Sequence, residues 1–238
     1  MKLSDFTTLT FDCYGTLIDW ESGMLQALRP LTERASRKLT TDDIFEAHAR
    51  HESAQQLQTP AMRYSELLAV VCKRIAEEWG IAVTWKECIA YGNSVKDWPA
   101  FPDTVEALKY LKKHFKLAIL SNIDNESFSA SAERLQVAFD AVYTAQEVGG
   151  YKPSDRNFDY MIQKLSGLGV EKGQILHTAQ SLFHDHVPAN KHGLASCWID
   201  RRHDKDGSGA TMNPGTMPHH DFRFTNMAEM ARAHQSES

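Results

Sequence analysis

No apolar run in this chain approaches the ~18 residues that a membrane-spanning helix needs, so no membrane partner is expected. The segment Met1–Asp5 has neither an apolar signal core nor a small-residue cleavage site, which points to a cytoplasmic protein. Cysteine is sparse. Cys13, Cys72, Cys88 and Cys197 are scattered without a CxxC pair, so neither a disulfide framework nor a zinc site is expected. Positive charge is also short. A formal net charge of -5 gives no long-range attraction for nucleic acid. Internal repeats are lacking too. What remains is ordinary for a globular chain: 42% hydrophobic and 24% charged residues, which does not fit disorder. A length of 238 residues suits one large domain, or a core carrying a smaller one.

Two textures follow one another along the chain. Thr8–Phe11 reads as a short buried strand ending at Asp12, with Gly15 as a turn signal. From about Ser22 to Asp97 the apolar spacing is helical, with Pro60 alone after the first of these helices. Thr41-Asp42-Asp43 reads as a helix cap, and Tyr64, Leu67, Leu68, Val71 and Ile75 form one apolar stripe. Beyond Pro102 strands and helices alternate: a helix over Asp103–Phe115, strands at Lys116–Leu120 and Phe139–Thr144, a helix over Arg156–Leu168, and strands at Gln174–Ala179 and Ala195–Ile199. Asp204–Asp221 reads as a long loop. The expected architecture is α/β: a doubly wound, Rossmann-like parallel sheet formed by residues 1–20 and 99–238, with residues 21–98 as an inserted helical cap.

Open parallel sheets take ligands at the carboxyl ends of their strands. Polar residues recur there: Asp12 after the first strand, Ser121 and Asn122 after the second, and Gln180, Ser181 and Asp185 after a later one. One such residue alone would be read as a cap or turn. Three strand ends behaving alike point to a site. Cys13 adjoins Asp12, but a small buried core residue is the simpler reading of it.

The run Phe11-Asp12-Cys13-Tyr14-Gly15-Thr16-Leu17-Ile18-Asp19 resembles the first motif of the haloacid dehalogenase superfamily. Leu120-Ser121-Asn122 resembles its second motif, Tyr151-Lys152-Pro153 its third, and Ser181-Leu182-Phe183-His184-Asp185 its fourth. The resemblance implies a hydrolase in which Asp12 attacks carbon and forms an ester that water then cleaves. Lys152 would keep Asp12 ionised, and Asp185 would orient the water. Ser121, with nearby backbone N–H groups, would hold a substrate carboxylate, and Asn122 would receive the leaving group. Tyr14, Gln180 and Ser181 complete the expected substrate contacts.

Superfamily phosphatases carry a second aspartate two residues after the nucleophile and hold Mg²⁺ between acids of the first and fourth motifs. Here Tyr14 and Gln180 stand at the two telling positions, which favours displacement at carbon, as in the L-2-haloacid dehalogenases, without metal or cofactor. His184 and His186 lie two apart and do not suit zinc. The implied partner is a small carboxylic acid, with a homodimer left open. Three features depart from the dehalogenase pattern. Leu182 stands where asparagine is usual, Phe158 where tyrosine is usual, and the halide-cradling arginine has four candidates: Arg29, Arg34, Arg37 and Arg50. Ring opening of L-azetidine-2-carboxylate on the same nucleophile is therefore an alternative, ahead of a phosphatase or a catalytically silent binding protein.

Overall fold

A computed structural model describes residues 1–205, 207 and 209–237. Six parallel strands form one sheet in the order β3-β2-β1-β4-β5-β6. They are β1 (Thr8–Phe11), β2 (Lys116–Ser121), β3 (Ala141–Thr144), β4 (Ile175–Ala179), β5 (Ala195–Ile199) and β6 (Phe222–Phe224). β1 is central and wholly buried, which suits its β-branched and aromatic Thr8, Thr10 and Phe11. The strand order reverses at β1, between β2 and β4, and this switch point is where an open α/β sheet binds ligands.

Four helices lie in sequence between β1 and β2: α1 (Trp20–Thr32), α2 (Thr41–Gln58), α3 (Tyr64–Glu78) and α4 (Trp85–Asn93). After them come α5 (Thr104–Leu111), α6 (Asn125–Leu135), α7 (Ala145–Val148), α8 (Asp155–Gly167), α9 (Val187–Lys191) and α10 (Met227–Gln235). The chain leaves and rejoins the core at one place. Asp19 N–H donates to Pro99 O at 2.8 Å, and Ile18 bridges Ala100. The cap of α2 is Thr40, one residue earlier than read. Its hydroxyl accepts from Asp43 N while Asp43 accepts from Thr40 N, so two orphan amides of the first turn are satisfied. Gly23 lets α1 lie against Trp98, since a Cβ there would come within 2.4 Å of the indole. Leu67, Leu68 and Val71 of α3 belong to the same apolar cluster as Leu9 and Phe11 of β1, so helices and sheet share one core.

The structure adds elements that the sequence pattern hid. β6 had no expected counterpart, because two half-buried phenylalanines around an exposed Arg223 are too few residues for an alternation to register. The loop read over 204–221 is without helix or strand among its described residues, while positions 206 and 208 lie outside them. Cys13 lies beyond the end of β1 and is fully buried, and burial pushes its thiol well above the usual range. Among the described residues no helix is long and apolar enough to cross a membrane.

Candidate active site

The carboxyl ends of β1, β2 and β4 converge at the switch point. Asp12 follows β1 directly, and Gly15, at φ +95°, turns the chain back in a conformation that L side chains rarely adopt. Thr16 then donates from its hydroxyl to Asp12 Oδ2 at 2.9 Å and accepts from Gln180 N at 2.9 Å. This turn is held from behind by Arg201, which follows β5. Its guanidinium donates to Thr16 O at 2.8 and 3.1 Å and to Asp103 at 2.7 Å.

Lys152, three residues before α8, is the electrostatic centre. Its ammonium is buried and donates three times: to Asp12 Oδ1 at 2.9 Å, Asp185 Oδ1 at 2.7 Å and Leu120 O at 2.9 Å. All three ammonium hydrogens are thereby used. Burial alone would lower the Lys152 pKa, but the two carboxylates outweigh it and raise the ammonium above its ordinary value. Burial opposes ionisation of Asp185 as well, yet Lys152 and His177 hold that carboxyl below the usual range. Asp12 goes the other way. Burial, with help from Asp185, raises it against the pull of Lys152. The shared cation thus favours Asp185, which makes two contacts at one oxygen, over Asp12.

His177 fixes that second contact. Its Nε2–H donates to Asp185 Oδ1 at 2.9 Å, and Nδ1 lies 2.9 Å from Thr10 Oγ1 on β1. Asp185 sits on a π-turn, Leu182–His186, with Ser181 capping it through the amide of His184. Its other oxygen, Oδ2, is buried without a hydrogen-bond partner among the described residues, as is the hydroxyl of Ser121, and both residues line the pocket.

The pocket is a cavity of about 50 Å³, far below the ~300–1,000 Å³ of sites that take drug-sized ligands. Asp12, Tyr14, Ser121, Asn122, Lys152, Ser181 and Asp185 all line it, so seven of the eight expected residues are brought together. Gln180 is not. Its side chain lines a separate cavity with Asp19 and Arg201, while its main chain bonds Thr16 and Trp198. Asn122 is present, but its amide clamps the Lys152 main chain. Oδ1 accepts from Lys152 N at 2.6 Å, and Nδ2 donates to Lys152 O at 3.1 Å. That makes Asn122 a positioning residue for the lysine rather than a receiver of the leaving group. Tyr14 spends its hydroxyl on Ser131 at 2.6 Å, with its ring edge-on to Trp98.

The arginine candidates all lie elsewhere. Arg29 pairs with Glu33, Arg34 with Glu87, Arg37 with Asp43 and Arg50 with Glu78, and none of them lines the pocket. The helical wall brings Trp20, Glu52, Gln56 and Tyr64 instead, and the long loop brings Thr211. Sequence reasoning passed over them because Glu52 and Gln56 look like ordinary surface residues of a polar helix. One signal was available: they lie four apart on α2, hence on one face. Two ties bring that face over the site, Ser65 N to Asp124 Oδ2 at 3.0 Å and Tyr151 OH to Met62 O.

His184 and His186 do not converge. His184 meets Ser181, and His186 meets Ala179 O and Ser196. Burial takes both rings down to about 4, so they are neutral at pH 7.

A family model described as haloacid dehalogenase-like hydrolase matches residues 6–178, a span that contains Asp12, Ser121 and Lys152. The chain belongs to the haloacid dehalogenase-like hydrolases. Among solved structures, the L-2-haloacid dehalogenase PA0810 superposes with a TM-score of 0.77 at 19% identity, over 98% of this chain and 100% of that one. The L-2-haloacid dehalogenase of Xanthobacter autotrophicus does so at 0.76 and 16% identity, again over 98% and 100%, and its structures include one with chloropropionic acid covalently bound. A curated relative, the pyrimidine 5'-nucleotidase YjjG of Escherichia coli, is 26% identical over 110 residues, 45% of this chain. The chain spans about half the length of that relative, 48%. For this hydrolase a magnesium ion between the first and fourth motifs does not suit the donor set. The Lys152 ammonium bridges the carboxylates that would hold the ion, and Gln180 turns its side chain away.

Proposed function

We propose that Asp12 is a nucleophile that displaces a leaving group from C2 of a small 2-substituted carboxylic acid, forming an ester that water hydrolyses. The observation that carries this reading is the buried Lys152 ammonium bridging Asp12 and Asp185, with Asp185 Oδ2 and Ser121 Oγ left unpartnered in the same cavity. Lys152 opposes the rise that burial imposes on the Asp12 pKa and so favours the ionised, nucleophilic carboxylate. Ser121 offers a donor to the substrate carboxylate. Asp185 Oδ2 accepts from a water and aims it at the Asp12 carbonyl once the ester has formed. The small cavity favours a compact acid over a nucleotide. (S)-2-Haloacids are the substrate class suggested by the structural neighbours. Ring opening of L-azetidine-2-carboxylate is the second reading, and the lack of any arginine among the pocket residues favours it.

Single-turnover reaction in ¹⁸O-water tests the ester. Label should enter the Asp12 carboxyl before it reaches product, and Asp12→Asn should abolish turnover. Label found only in product from the first turnover would refute a covalent path.

A further inference from the structure

The cavity beside Asp12 is short of positive charge. Its lining holds three carboxyl groups, Asp12, Glu52 and Asp185, against one ammonium, Lys152. His184 adds none, since burial keeps it neutral. A 2-haloacid would bring its own carboxylate and then release a halide anion into this space. Uncompensated buried charge is strongly unfavourable, and among the described residues none in the lining supplies a second cation.

Glu52 is the carboxyl that the Asp12 chemistry does not use. It is 6% exposed and is held by Tyr64, whose hydroxyl donates to Oε1 at 2.6 Å. His48 Nδ1 lies 3.9 Å from Oε2, but burial takes that ring down to about 3, so it is neutral and the two form no ion pair. Burial pushes Glu52 up to about 7 against the Tyr64 hydrogen bond. Glu52 is therefore anchored at one oxygen and has no charged partner among the described residues.

We propose that Glu52 is the leaving-group residue of this cavity and selects a small zwitterionic acid, bonded at C2 to a protonated ring nitrogen, over an acid that releases halide. This rests on Asp12 being the nucleophile. Such a substrate supplies the missing cation itself. An ammonium taken out of water tends to lose its proton, and the Glu52 carboxylate opposes that loss. In the step, an Asp12 oxygen bonds to C2 and the C2–N bond breaks with its pair going to nitrogen. The nitrogen keeps both hydrogens and leaves as a primary amine tethered to the ester, which later takes a proton from water. Water then cleaves the ester and returns the Asp12 carboxylate.

The test compares L-azetidine-2-carboxylate with (S)-2-chloropropionate across pH, for the wild type, Glu52→Gln, Glu52→Asp and Asp12→Asn. Glu52 faces His48 on its own helix, Tyr64 on α3, Tyr91 on α4, Tyr151, and Asp12, Lys152, His184 and Asp185 across the cavity. A limb attributable to Glu52 is thus identified by its loss in the variant. For the wild type, kcat/KM on the azetidine should rise as Glu52 ionises. Glu52→Gln should lower it about 100-fold and flatten that limb, while the ratio of chloropropionate to azetidine turnover rises. Glu52→Asp should recover part of both activity and limb, with thermal melts confirming that each variant is folded. The proposal is overturned if Glu52→Gln stays within threefold on the azetidine, if it loses both substrates equally, or if the wild type does not open the azetidine. Activity retained by Asp12→Asn would instead overturn the nucleophile reading, which separates the two failures.

Discussion

The two walls of the cavity use their polar atoms differently. On the sheet side Lys152 spends all three hydrogens on Asp12, Asp185 and Leu120, and His177 is bonded at both nitrogens. The atoms left over there, Ser121 Oγ and Asp185 Oδ2, belong to residues that line the cavity. On the helical side Glu52 is held at one oxygen by the Tyr64 hydroxyl, and behind it, outside the cavity lining, both nitrogens of His48 and the Tyr91 hydroxyl are buried without hydrogen-bond partners among the described residues. The sheet wall holds one arrangement of charges whatever ligand enters. The helical wall carries Glu52 without an opposite charge bound to it, and the proposed substrate choice is placed there.

The largest effect that sharpens this contrast belongs to Lys152. Lys152→Met leaves Asp12 and Asp185 facing each other in a buried space without the shared cation. The Asp12 carboxyl, already raised, should rise further, so less of it is ionised at neutral pH. Turnover should fall by about three orders of magnitude, on the scale of losing a buried charge partner. The residual rate should climb toward alkaline pH. Near-normal turnover at pH 7 would mean that the sheet wall does not depend on its cation.

Asp185→Asn comes next. Ester formation does not need its Oδ2, but ester hydrolysis does. The variant should accumulate an adduct on Asp12, visible by intact mass. With (S)-2-chloropropionate the gain is the substrate minus chloride, and with L-azetidine-2-carboxylate it is the whole substrate. An inactive variant without adduct, on a substrate that the wild type consumes, would move Asp185 into the first step.

The smallest effect concerns stability and the helical wall alone. Glu52 has a folded pKa of about 7 against 4.5 unfolded, so the folded state holds the proton more tightly. Its contribution is fully present below the unfolded pKa and is lost as pH rises through the folded one, by on the order of a few kcal/mol. Glu52→Gln, uncharged at all pH, should therefore match the wild type near pH 4 and exceed it in urea unfolding near pH 8. Equal stability at both pH values would show that Glu52 is not desolvated.

How much was legible beforehand follows from the range of each interaction. β5 was read residue for residue as Ala195–Ile199, and β1 from Thr8 to Phe11, because a short apolar run between polar ends reports its own burial. The edges of α5 and α8 moved by one to four residues, since helix ends depend on local hydrogen bonds that periodicity does not carry. Asp12, Ser121 and Asp185 stood out because strand ends in a parallel sheet share one rim, while Lys152 was marked only by the motif resemblance.

What the sequence by itself determined is the parallel α/β order, the helical segment within it and the residues at the strand ends. Each of these is a local pattern, and chain connectivity fixes how they meet. Only the tertiary structure decided which polar side chains face the cavity. It turned Gln180 out, gave the Asn122 amide to the Lys152 main chain, and left Arg29, Arg34, Arg37 and Arg50 paired away from the pocket. It also folded α2 over the rim, so that Glu52, which looks like any solvated helix glutamate in the sequence, became a buried carboxyl lining the same cavity as Asp12. Side-chain direction and desolvation arise only when distant segments pack together, and no local pattern encodes them.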